Sequence, residues 1–132
     1  MTTPTLAPLD DPLDDVPDDD TCYPRRFRIL NLAAGRDLAI VAYESGEWES
    51  RPAVGAVLHP DQTWEFEVGH HFGRENKADL CLEVPVDGGT RHVDVEFDVD
   101  AFGTPWASAS ASSGVGVTVS GSTVIVTSGS AR

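Results

Sequence analysis

Asp94, Glu96, Asp98 and Asp100 place a carboxylate at every second position of one short run. Carboxylates at such density are the residue type used by general acids and bases and by hard cations. On a strand, however, residues two apart sit roughly 6.6 Å apart on one face, too far to share a small cation without ligands from elsewhere. The run therefore reads as a solvated outer strand face, an acidic stripe that discourages edge pairing. His70 and His71 are adjacent and would point to opposite faces of a strand, while His59 and His92 stand alone. Neither Cys22 nor Cys81 has a second ligand at zinc spacing, so no metal or other cofactor is expected. Serines crowd the C-terminal part, but none lies in a Gly-x-Ser-x-Gly elbow or near a patterned histidine. No phosphate-cradling Gly-rich loop precedes a helix. The pattern points to a non-catalytic chain.

Binding chemistry is better represented. Trp48, flanked by Glu47 and Glu49, and Trp106, after Pro105, lie near turns and are the candidates for anchoring a partner or, equally, for capping an end of the core, whereas Trp64 belongs to a strictly alternating run and is expected in the core. Arg25, Arg26 and Arg28 form the nearest thing to a basic cluster. The net charge of −13 opposes phosphate backbones and anionic lipid surfaces, so neither nucleic acid nor a membrane is an expected partner. The arginines are expected instead to answer aspartates, those of the N-terminal segment or of another subunit.

Residues 1–24 make up that segment. Pro8-Leu9-Asp10-Asp11 recurs as Pro12-Leu13-Asp14-Asp15, followed by Pro17-Asp18-Asp19-Asp20, so all seven aspartates here precede the first base. High charge and regular prolines predict an arm that does not fold alone. Leu6, Leu9, Leu13 and Val16 would supply apolar anchors if it orders on a neighbouring subunit. No positively charged stretch followed by an apolar run marks a secretory signal, and two cysteines without one are expected to stay reduced.

The elements that must position these groups follow a two-residue period from Arg25 to the C-terminus. Arg25 to Leu32 puts Phe27 and Ile29 on one face, and Asp37 to Tyr43 carries Leu38, Ile40 and Ala42 on one side. Trp48 to Leu58 is less regular, with Pro52 favouring an edge and Val54 to Leu58 a short strand. Trp64, Phe66 and Val68 alternate with Glu65 and Glu67; a polar loop over 69–77 follows; Leu80, Leu82 and Val84 then face Val93, Val95, Phe97 and Val99 across an Asp87-Gly88-Gly89-Thr90 hairpin turn. Ala101 to Ser113 reads as a loop or an extended segment, and Val115 to Thr127 as a hairpin turning at Ser120-Gly121. Residues 25–132 are thus expected to form one all-β domain of about seven to nine short strands, an antiparallel sandwich or jelly-roll-like barrel.

The progression Ile29-Leu30-Asn31, Leu38-Ala39-Ile40-Val41, Gly46-Glu47-Trp48, Pro52 and Pro60-Asp61-Gln62-Thr63-Trp64-Glu65-Phe66 resembles that of the aegerolysin-like small β-sandwich proteins over the first half of the domain. The resemblance implies membrane-lipid recognition or a cytolytic part acting with a partner. Against that implication stand the acidic arm and the lack of an aromatic-rich lipid face in the second half. The expectation from the residues themselves is a structural or binding protein of a larger assembly, such as a phage virion component of capsid or tail accessory type. Its arm would contact neighbouring subunits, including copies of itself, in a virion or the cytoplasm. A soluble regulatory binding protein is the third possibility.

Overall fold

A computed structural model describes residues 24–128; the arm residues Leu6, Leu9, Leu13 and Val16, together with Cys22, lie outside the described residues. The strands are β1 (Arg25–Leu32), β2 (Leu38–Ser45), β3 (Trp48–Ser50), β4 (Val57–Leu58), β5 (Thr63–Val68), β6 (Asn76–Val86), β7 (Gly89–Val99), β8 (Pro105–Ala111), β9 (Gly116–Ser120) and β10 (Thr123–Thr127). They form two five-stranded sheets, ordered β3-β5-β1-β10-β9 and β4-β2-β6-β7-β8. The sheets pack as a sandwich, and all pairs are antiparallel except β1 with β10. Ten strands exceed the expected seven to nine because the irregular stretch 48–58 contains two very short edge strands, β3 and β4. The Ser/Ala-rich stretch is strand β8, whose backbone pairs fully with β7 although few of its side chains have much to bury.

Alternation places the core. Phe27 and Phe66, partners in the β1–β5 register, meet Phe97 of the facing sheet, with ring centroids 4.4 Å apart for Phe27–Phe97 and 5.2 Å for Phe66–Phe97. Burying these rings removes some of the largest apolar surfaces in the chain from water, and the offset contacts add to that gain. Ile29, Val68, Leu80, Leu82, Val84, Val93, Val95, Val124 and Val126 complete the layer.

Ala42 departs from its expected face. Ile40 pairs with Leu82 but Ala42 with Cys81, so Val41 is an extra residue in a β-bulge and the alternation reverses after it. Ala42 turns outward with Cys81, and Tyr43 instead packs on the core, its hydroxyl donating to the Pro52 carbonyl at 2.5 Å. Burial pushes the Tyr43 phenol up to about 12, against the pull of the Arg51 guanidinium 4.0 Å from its ring centroid.

Asn31 is buried and fully used. Its amide nitrogen donates to the Arg36 and Leu58 carbonyls and its oxygen accepts from the Ala33 amide, tying β1, the following turn and β4 together.

Candidate functional site

Two loops meet at one end of the sandwich, residues 69–75 between β5 and β6 and residues 100–104 between β7 and β8. The Gly73 amide donates to the Ala101 carbonyl at 2.9 Å, and His70 Nε2 donates to the same oxygen at 3.3 Å. Arg25, at the start of β1, donates from Nε to the Gly103 carbonyl at 2.7 Å. Asp100 accepts from the Phe102 and Thr104 amides, both at 2.9 Å, and these bonds hold its carboxyl below the usual aspartate range, Thr104 contributing most. On the other side Asn76 donates to the Gly69 and Glu47 carbonyls, and His71 lies 3.2 Å from Glu47.

These bonds fix what the loops display. Phe72 and Phe102 are 64% and 81% exposed, each directly before a glycine with positive φ, Gly73 at 86° and Gly103 at 91°. At Gly103 a Cβ would come within 2.6 Å of the Arg25 guanidinium and 3.3 Å of the His70 ring, so the bare backbone there is what lets arginine and histidine close under the loop. His70 is buried and its Nδ1 has no hydrogen-bond partner among the described residues.

The residues singled out from the sequence do not form one patch. Arg25 is half-buried beneath the loop end. Arg26 and Arg28 lie on the outer face of their sheet, where Glu65 and Glu67 of β5 answer them at 3.3–3.9 Å. Carboxylates of their own domain therefore serve these cations. Trp48 takes the capping position: it is half-buried against Tyr43, Phe66 and Phe97, its indole N–H donates to the Ser45 carbonyl, and it closes the end of the core. Trp106 is 43% exposed on the outer face of the other sheet.

Asp98 is a correction. Its position in the alternation is outward, yet only 4% of it is exposed, between its register partners Lys77 on β6 and Trp106 on β8. Cys81 is free and half-buried beside Asp94; burial and that carboxylate push its thiol up to about 11.

Phe72 and Phe102 were not marked by alternation, since neither belongs to a strand. The available signal was a Phe-Gly dipeptide inside each of two polar turns, an aromatic with no strand face to join.

The fold and the loop end together define a small β-sandwich with a pinned aromatic tip. No protein-family model, curated protein sequence or solved structure matches the chain.

Proposed function

We propose that the chain is a non-catalytic docking subunit of a larger protein assembly, of the capsid or tail accessory kind found on a phage particle, and that it seats through the loop end. The observation that supports this reading is the exposure of Phe72 and Phe102 on two loops hydrogen-bonded to each other and to β1. A pre-ordered aromatic pair loses little conformational entropy on seating in a partner's pocket, which makes it a good anchor. Pro24 and Arg25 lead into the domain at this same end, because Arg25 pairs with Val68 beside the 69–75 loop. Arm and aromatic tip would thus reach one neighbour together and raise each other's effective concentration.

The test is co-assembly of the full chain with particles from its source. Phe72→Ser with Phe102→Ser should abolish incorporation while leaving the melting temperature nearly unchanged, and deletion of residues 2–20 should weaken it. Normal incorporation of the double variant would overturn the reading.

Exposed aromatic tips also favour a second reading, the lipid recognition implied by the aegerolysin-like resemblance, since such rings insert readily at a bilayer interface. Sedimentation with zwitterionic phosphatidylcholine vesicles separates the two. Vesicle binding lost in the double variant would replace the assembly reading.

A further inference from the structure

We propose that the outer face of the sheet containing β1 and β5 is a contact between two copies of this chain, related by a two-fold axis that runs along the strands between β1 and β5. The face lies apart from the loop end, and the inference does not depend on the docking role given to the phenylalanines.

The register sorts the charges by strand. The outward positions of β1 begin with Arg26 and Arg28, and those of β5 are Thr63, Glu65 and Glu67, so a basic strand lies beside an acidic one. Rotation about an axis between them lays β1 of each copy over β5 of the other. Arg26 then meets the partner's Glu67 and Arg28 the partner's Glu65, each contact occurring twice, with no like charges opposed. An isologous interface requires this kind of self-complementarity. The rest of the sheet does not disturb it, because β10 and β9 carry no charge at all. On the opposite sheet Asp79 stands against Glu96, and two such faces would meet with like signs.

The chain itself leaves these groups underused. Arg28 Nε donates to Glu65 at 3.3 Å, but Arg26 lies 3.8 Å from Glu67 and 3.9 Å from Glu65, beyond hydrogen-bond range. The other guanidinium donors of Arg26 and Arg28 have no acceptor among the described residues, and the four side chains are 39–57% exposed.

Apolar surface continues the same row. Leu30 and Leu32 follow Arg28 on the outward side of β1, where alternation calls for polar residues, and Leu32 is 44% exposed. Leu30 stands between Thr63 and Ile125 in register, so the same rotation packs it over the partner's Thr63. Two faces of twisted sheets stack in this aligned manner about 10 Å apart.

Size sets the strength. Four strands of this sheet at about 4.8 Å spacing, along the eight residues of β1, give roughly 500 Å² per copy, the low end for a specific contact. The dimer is therefore weak and concentration-dependent. Because the axis follows the strands, both loop ends point the same way.

The experiment mixes two forms of the full-length chain. In Arg26→Glu/Arg28→Glu/Glu65→Arg/Glu67→Arg every cross-strand pair keeps unlike signs, so the fold is spared and the variant should pair with itself as the wild type does. The two forms should not pair with each other, because arginine would meet arginine and glutamate would meet glutamate. Native mass spectrometry of the mixture should show mixed dimers at least about tenfold below their statistical share. Sedimentation equilibrium from about 5 to 500 μM should show wild-type self-association that weakens with salt. Leu30→Thr/Leu32→Thr, and separately Arg28→Gln, should weaken it several-fold without lowering the melting temperature by more than a few degrees, which keeps the test independent of the fourfold variant. Phe72→Ser/Phe102→Ser should leave it unchanged, which separates this inference from the loop-end reading. A chain that stays monomeric over the whole range, mixed dimers at the statistical share, or a dimer indifferent to the leucine and arginine changes would overturn the assignment.

Discussion

The two outer faces of the sandwich carry similar rows of carboxylates and treat them in opposite ways. On the β1–β5 face Arg26 stands opposite Glu67 and Arg28 opposite Glu65, so both charged cross-strand pairs there are of unlike sign. On the β6–β7 face Asp79 stands opposite Glu96, and the nearest cation in register, Lys77, stands one pair away opposite Asp98. Alternation alone would describe both as polar outer surfaces. Register distinguishes them: one face pairs unlike charges across its strands, the other sets carboxylate against carboxylate at Asp79 and Glu96.

The largest effect should come from the layer both faces share. Phe97→Ala removes the ring that stacks on Phe27 and touches Phe66 and Trp48, and should cost about 3–5 kcal/mol by denaturant unfolding. A loss near zero would mean that the two sheets are not joined through this cluster.

The sharpest test of the comparison is a difference of sign. Glu65→Gln, on the self-neutralised face, should lower stability by about 0.2–1 kcal/mol, whereas Asp79→Asn, on the other, should raise it by a similar amount near neutral pH. Two losses of equal size would abolish the distinction.

A pH effect should follow from Glu96. Its carboxyl is raised from 4.5 to about 7 in the folded chain, chiefly by the hydrogen bond to Asp98, so the folded state binds this proton more tightly than the unfolded state does. The group's contribution is therefore fully present below about pH 4.5 and is lost as pH rises through about 7. Carboxyl carbon shifts followed by NMR should show the late titration, and Glu96→Gln should remove that part of the slope of stability against pH.

The smallest effect concerns Cys81. With its thiol held near 11 by burial and by Asp94, alkylation at neutral pH should be slow, and Asp94→Asn should quicken it modestly in a Cys22→Ser background. An unchanged rate would remove Asp94 as a cause.

Strand faces were legible in the sequence wherever a large apolar residue recurred at every second position, as in Phe66 to Val68 or Val93 to Val99. The Val41 bulge was not, because one inserted residue reverses the faces of Ala42 and Tyr43 without altering composition. Trp48 between two glutamates suited a surface anchor and a core cap equally, and the short β3 turns its ring under the core's open end. Asp98 looked solvated because alternation gives direction and not cover, and its burial comes between residues distant in sequence, Lys77 and Trp106. The acidic run was visible as composition, but the like-signed register with Asp79 exists only once β6 and β7 have paired. The phenylalanines of the loop end fell outside any strand pattern, and their shared location depends on the Gly73–Ala101 hydrogen bond.

The parallel pairing of β1 with β10 governs the order in which the chain can complete itself. Arg28 lies beside Thr123 and Leu32 beside Thr127, so the middle of one sheet cannot close until nearly the whole domain has left the ribosome. The β6–β7 hairpin, which needs only a two-residue turn, is free to form during synthesis. Until β10 arrives, β1 offers an unpaired edge and Ile29 lacks the cover of Val124. A nascent chain at that stage is a half-sandwich with an adhesive seam, and that seam is where a chaperone would grip or a second unfinished copy would stick.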